Sequence, residues 1–248
     1  MGITTVYGQG RIVNVEDPKL TVYLPSSPDK SKSAVIICPG GGYSYVAKAH
    51  EGHNWAHFFN NLGIACGVLE YTLPNGNPSI PLGDVEKAFN IMTDSASVWN
   101  IDSTKIGIMG SSAGGHLAAT ASTHPSMKIH PAFQILFYPV ISLENPITHL
   151  GTRQSFLGEN ADEKTVADYS AFNNVNSTTS PAFIVLSADD KGVVPDNSIL
   201  YFSALTKSGV PAALMIYPTG GHGWGYNSGF PYHDQMLSEL TAWLKKLY

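Results

Sequence analysis

The sequence predicts an α/β fold: a mostly parallel central sheet with helices on both faces and no large lid. Three observations carry that prediction. Short runs of Ile, Val, Leu and Ala, apolar on both faces as inner parallel strands are, alternate with stretches of helical apolar spacing. Gly110-Ser111-Ser112-Ala113-Gly114 lies between one such run, Lys105-Ile106-Gly107-Ile108-Met109, and the helix-forming run His116 to Ala121. The remaining polar and glycine-rich clusters fall just after strands, where sites form in open α/β sheets.

Size and composition narrow the choices. At 248 residues one substantial core is expected, so residues 1–248 read as a single domain. Hydrophobic residues make up 43% and charged residues 13%, which excludes disorder and long amphipathic arrays. The net charge of −5 is dispersed and no Lys/Arg cluster is present, so neither nucleic acid nor an anionic membrane is expected as a partner. No apolar stretch approaches the roughly 18 residues that span a bilayer. Met1-Gly2-Ile3-Thr4-Thr5 lacks the basic start and apolar core of a signal peptide, which predicts a cytoplasmic protein. A signal removed before Met1-Gly2 would make it periplasmic or secreted. Cys38 and Cys66 each lie within an apolar run and read as free, buried residues.

Along the chain, Arg11 to Leu24 alternates apolar and polar residues and predicts an antiparallel strand pair at a sheet edge, closed by a turn at Pro25 to Asp29. Ala34 to Cys38 is an inner strand running into Pro39-Gly40-Gly41-Gly42-Tyr43. Asn54 to Leu62 has helical spacing and Gly63 ends it; Ile64 to Tyr71 is the next strand. His50, His53 and His57 have no carboxylate or cysteine set to complete a tetrahedral site, so they read as surface or pocket-rim residues and no metal is expected. Val85, Phe89, Met92, Ala96 and Trp99 predict a helix starting near Asp84 as its cap. Beyond the glycine-flanked serine, Phe133 to Val140 is a strand. Residues 141–180 break the alternation, with one helix near Glu163 to Tyr169, and read as a short insert walling one side of a pocket. Pro181 to Ser187 and Ala213 to Tyr217 are strands with a helix at Ile199 to Leu205 between them, and Met236 to Leu247 is a closing helix.

The turn at Ser112 has the form of a nucleophile elbow. Its glycines allow a turn too sharp for a Cβ, and the serine hydroxyl is held at the amino end of a helix, whose dipole favours negative charge. His116, four residues on, reads as a buried histidine hydrogen-bonded beneath the elbow rather than a base. Three glycines after a buried strand, one unit before the elbow, read as an oxyanion loop, with the amides of Gly41 and Gly42 and that of Ala113 as the donors. Ala188-Asp189-Asp190 ends a strand where a triad acid belongs; both aspartates are candidates, with Asp190 favoured and Asp189 as the loop-bracing partner. His222, set among Gly220, Gly221, Gly223 and Gly225, follows the last strand. The order Ser112, Asp190, His222 is that of the α/β-hydrolase triad and differs from the chymotrypsin and subtilisin orders. It predicts a serine acyl-transfer mechanism with no cofactor.

With those residues in place, the chain resembles the small bacterial acetyl xylan and carbohydrate acetyl esterases of the α/β-hydrolase superfamily. The resemblance rests on Cys38-Pro39-Gly40-Gly41-Gly42-Tyr43, Glu51-Gly52, Gly110 to Ala118, Ala188-Asp189-Asp190, Pro195 with Asn197-Ser198, and Tyr217-Pro218 followed by Gly220-Gly221-His222-Gly223. It implies hydrolysis of short acyl esters, acetyl above all, on a small-molecule or oligosaccharide substrate such as xylan fragments. Pro195 stands five residues after Asp190, where these esterases keep a Val-Pro three and four after the acid. Tyr43, Trp224 and Tyr226 are candidates to stack on a sugar face. Two rivals are weaker. A serine peptidase of prolyl-oligopeptidase type shares the triad order but carries a gating domain, and no propeller-length segment lies in these residues; a non-catalytic binding protein on this fold is expected to have lost a triad residue.

Overall fold

The structure, a computed structural model, describes residues 18–27 and 32–247. Seven strands form one sheet in the order β1-β3-β2-β4-β5-β6-β7. They are β1 (Lys19–Tyr23), β2 (Ala34–Cys38), β3 (Ala65–Glu70), β4 (Ile106–Ser111), β5 (Gln134–Phe137), β6 (Ala182–Ser187) and β7 (Ala212–Tyr217). Only β1 is antiparallel, pairing with β3 at one edge. Of the strand pair expected over Arg11 to Leu24, β1 is therefore the second half; the first half lies outside the described residues, as does the end of the turn at Pro25 to Asp29.

Side chains alternate across the sheet as the period of a strand requires. Ala34, Ile36 and Ile108 face one core layer together with α2 (Ser79–Asp94), α3 (Ala113–Thr123) and α6 (Asp196–Lys207). Val35, Ile37 and Met109 face the other, with α1 (Trp55–Asn61) and α7 (His233–Leu247). Cys38 and Cys66 are free and buried, and burial pushes both thiols up, away from nucleophilic use.

Helix α2 begins a full turn earlier than its apolar spacing predicts, at Ser79, with Pro78 as the N-cap and Pro81 in the first turn, where a missing N–H is tolerated. Asp84 is not its cap; it is buried inside α2, accepting from the Thr72 amide and the Lys87 ammonium. Trp99 lies past the end of this helix. Within 141–180 the structure adds α4 (Leu150–Leu157) to α5 (Glu163–Asp168). The spacing gave no warning of α4 because its cap is His149, whose Nδ1 accepts from the Thr152 amide, a role usually filled by Ser, Thr, Asp or Asn.

Parallel pairing aligns the strand ends that matter. Cys38 is opposite Gly110, Ser111 opposite Phe137, Phe137 opposite Val185, and Ser187 opposite Tyr217. The loops after β2, β4, β5, β6 and β7 thus leave the sheet at a single edge, its carboxyl end.

Candidate active site

Ser112 sits between β4 and α3 with φ 54° and ψ −120°, in the left-handed half of the map that a side chain rarely adopts. Its backbone is held on both sides: the Ser112 amide donates to Phe137 O at 2.9 Å, and its carbonyl accepts from His116 N at 3.0 Å and Val140 N at 3.1 Å. The flanking glycines have no room to change. A Cβ on Gly114 would lie 2.1 Å from the Cys38 carbonyl oxygen, and one on Gly110 2.0 Å from the Gly114 carbonyl oxygen, both backbone atoms that cannot swing aside. Gly114→Ala is accordingly expected to destabilise the fold by about 3 kcal/mol or more, lowering Tm by roughly 10 °C in a thermal melt. Gly83→Ala, inside α2 with nothing within 4 Å of the added methyl, is expected to raise stability by about 0.5–1 kcal/mol in the same assay.

The loops after β6 and β7 converge on this serine. Ser112 Oγ donates to His222 Nε2 at 2.8 Å, and His222 Nδ1 donates to Asp190 Oδ2 at 2.6 Å. Asp190 is buried, and its other oxygen, Oδ1, accepts from the amides of Gly192 at 2.8 Å and Val193 at 2.9 Å. Asp189 is exposed and turned away; its Oδ1 accepts from the Gly221 amide at 2.8 Å, which ties the two loops together one residue before His222. The spacing to Pro195 also has a structural account. The residues after Asp190 form a turn whose amides clasp its carboxylate, and Pro195 then caps α6.

The loop after β2 passes beside the serine. A Cβ on Gly40 would stand 3.0 Å from Ser112 Cβ, so the Gly40 backbone packs directly on the Ser112 side chain. Gly41 and Gly42 follow at φ 129° and 63°. Within the described residues, no hydrogen bond takes the amide of Gly41, Gly42 or Ala113; the last is the first residue of α3, where helix geometry leaves the N–H without a partner. These three donors lie on the loop after β2 and at the start of α3, the two segments that flank Ser112.

His116 lies fully buried under the elbow. It accepts from Tyr43 O–H at Nδ1 (2.9 Å) and donates from Nε2 to Tyr169 O (2.9 Å), and burial lowers its pKa to about 4, so it is a neutral strut at physiological pH. Its partners are distant in the chain but adjacent in space.

Other residues behave differently from their sequence reading. Tyr43 is buried, bonded to His116 and stacked on Phe156; Trp224 is buried, stacked on Phe230 at 3.9 Å and donating to Ser187 Oγ at 3.1 Å; Tyr226 packs edge-on against Trp55. The rings of Tyr43 and Trp224 are thus taken up by packing, while Tyr226 stays partly exposed. Of the three early histidines, His53 accepts from Tyr23 O–H and lies near Glu70, and His57 bonds Asn61. Three residues to which the sequence assigned no role in the site also border it. Glu51 and Tyr138 lie beneath it, and His149 stands over it, its Cε1 4.0 Å from where a Cβ on Gly42 would be. The pKa of His149 is lowered by burial and by the neighbouring His222, against the opposing pull of Asp190.

His149 belongs to the segment 141–180, whose first residues are held by a side chain outside it. The buried Asn197 accepts at Oδ1 from the amides of Ile141 and Ser142 and donates from Nδ2 to the carbonyl of Ile147, using its amide on both sides.

Comparison with known proteins adds to this geometry. Residues 82–248 match the prolyl oligopeptidase family. An acetylxylan esterase of Xylanibacter ruminicola is 43% identical over 233 residues, covering 92% of this chain and 48% of that protein. Endo-1,4-beta-xylanase B of Butyrivibrio fibrisolvens is 32% identical over 221 residues, covering 83% of this chain and 34% of that protein. The chain thus spans half or less of the length of these curated relatives. The crystal structure of an acetyl ester-xyloside bifunctional hydrolase from Caldicellulosiruptor lactoaceticus superposes with a TM-score of 0.85 at 32% identity, covering 96% of both chains.

Proposed function

The chain belongs to the prolyl oligopeptidase family, with an α/β-hydrolase fold, and from that premise we propose that it is a serine esterase removing short acyl groups, acetyl above all, from xylan or related plant oligosaccharides. The observation that carries the reading is the unbroken relay from Ser112 Oγ through His222 to Asp190 at 2.8 and 2.6 Å. In the reaction, Ser112 Oγ attacks the ester carbon while His222 Nε2 takes its proton. Asp190 holds the imidazole in the tautomer that has Nε2 free and stabilises the imidazolium. The amides of Gly41, Gly42 and Ala113 receive the oxygen as it becomes negative. His222 then gives that proton to the departing sugar oxygen, which leaves as a hydroxyl, and water, activated by the same imidazole, releases acetate from the acyl-enzyme.

The choice of an ester over a peptide is supported by the relatives. The family takes its name from a peptidase, yet the protein matched over 92% of this chain is named for acetylxylan, and the structure matched over 96% for an acetyl ester and a xyloside. The reading is tested by measuring acetate released from acetylated xylo-oligosaccharides beside hydrolysis of p-nitrophenyl acetate. Release from both is the expected result. Hydrolysis of the aryl ester alone would retain the mechanism and overturn the carbohydrate assignment.

A further inference from the structure

The loops around Ser112 meet at one buried carboxyl group. Glu51, 3% exposed, lies in a single π-helical turn, Ala49–His53, beneath the loop after β2. Its Oε2 accepts from the Gly40 amide at 2.8 Å, and its Oε1 accepts from Tyr138 O–H at 2.8 Å. The same phenol oxygen accepts from the Gly225 amide at 2.7 Å. Burial and the adjacent Glu51 carboxylate push the Tyr138 phenol well above its ordinary pKa, so it stays protonated and serves as the donor to Glu51. Gly40 opens the loop that carries Gly41 and Gly42, and Gly225 ends the glycine run that carries His222. The Tyr138 ring itself packs edge-on against the His222 imidazole, centroids 4.8 Å apart.

There is no slack in this junction. A Cβ on Gly40 would fall 2.6 Å from Glu51 Oε2, and one on Gly225 would fall 3.1 Å from Glu51 Cγ. Among the described residues no Lys, Arg or His forms an ion pair with Glu51. A buried carboxyl group without a counter-ion is costly to fold, so stability alone does not favour a glutamate here.

We propose that Glu51 is a positioning residue that ties the oxyanion loop to the histidine loop through Tyr138, so that one side chain sets the distance between the oxyanion donors and His222. The inference rests on the reading of Ser112, His222 and Asp190 as the reacting triad. Counting donors shows why the group is a carboxylate. Two donors, the Gly40 amide and the Tyr138 hydroxyl, point at Glu51, and the phenol oxygen already accepts from the Gly225 amide. Only an acceptor at both oxygens satisfies them; the NH2 of a glutamine would face a donor whichever way it turned.

The test is a cycle of Glu51→Gln, Tyr138→Phe and the double variant, with p-nitrophenyl acetate as substrate and each protein assayed well below its Tm. Glu51→Gln is expected to lower kcat about 10- to 100-fold with KM changed less than about threefold, as displacement of catalytic groups by an ångström or less does. Tyr138→Phe, which leaves the Glu51 to Gly40 bond intact, is expected to lower kcat about tenfold. The double variant is expected to fall little below Glu51→Gln alone, because both changes cut the same link. A second readout is the affinity for a small alkyl boronic acid, whose tetrahedral adduct on Ser112 places an oxygen where the oxyanion forms; it is expected to weaken in step with kcat. Folded variants with kcat and boronate affinity within twofold of the parent would overturn the proposal, as would strict additivity in the cycle. Where Glu51→Gln does not fold, Tyr138→Phe alone decides, by the same kcat and boronate criteria. Ser112→Ala is run in parallel: if it abolishes turnover while the Glu51 and Tyr138 variants stay within twofold of the parent, the positioning inference alone fails, and if turnover survives in Ser112→Ala both readings fail.

Discussion

Ser112→Ala is expected to lower kcat/KM for acetyl esters by about four to six orders of magnitude, the loss seen when the nucleophile of such a triad is removed. What remains is the contribution of substrate binding and of the three amides around the site. The variant is also expected to fold at least as well as the parent. The strained conformation at φ 54° is imposed by Gly110, Gly114 and the bonds to Phe137, His116 and Val140. Alanine meets the same strain without a buried hydroxyl. Hydrolysis of p-nitrophenyl acetate, corrected for the spontaneous rate and read beside a thermal melt, separates the two effects: lost turnover with Tm unchanged or raised is the expected pattern. Turnover within tenfold of the parent would remove Ser112 from the mechanism.

Asp190→Asn is expected to lower kcat about 10⁴-fold, whereas Asp189→Asn changes it less than about threefold. The asymmetry follows from which atoms each carboxylate engages. Asp190 Oδ1 is committed to the amides of Gly192 and Val193, so in an asparagine the carbonyl oxygen stays there and the NH2 is left facing His222 Nδ1. That nitrogen is then forced to accept, the proton moves to Nε2, and the imidazole can no longer take the proton of Ser112. Among the described residues, the Asp189 carboxylate bonds the Gly221 amide, which an asparagine oxygen also satisfies. Equal losses in the two variants would mean that the loop as a whole, not the tautomer of His222, is being disturbed. Proton NMR of the imidazole N–H distinguishes these outcomes by reporting which nitrogen is protonated.

Sequence alone carried a reader to the residues whose chemistry is local. Gly110 to Gly114 declares its turn because the constraint lies within five consecutive residues, and the strands declare themselves because both of their faces are apolar. The candidate triad is legible through chain order, but the place past the end of β6 fits Asp189 and Asp190 alike, and only the bonds to His222 and to Gly221 tell them apart. The start of α2 was not legible, since Asp84 looks like a cap and is a buried strut between Thr72 and Lys87. Nor was the role of the aromatics: Tyr43 lies next to the oxyanion loop in sequence, but its side chain is buried against His116 and Phe156. Glu51 was visible only as half of a Glu-Gly pair in a family pattern. Its meaning depends on Tyr138, 87 residues away, and on Gly225, and no periodicity or spacing connects residues brought together by a sheet edge.

The way Asn197 holds the segment 141–180 bears on how this scaffold can be diversified. Every bond it makes there ends on a main-chain group, the amides of Ile141 and Ser142 and the carbonyl of Ile147. The anchorage is blind to the identity of the residues it anchors. Side chains at Ile141, Ser142 and Ile147 can therefore change without loosening the attachment, and α6, which follows Asp190, keeps its hold on the start of this segment whatever those side chains are.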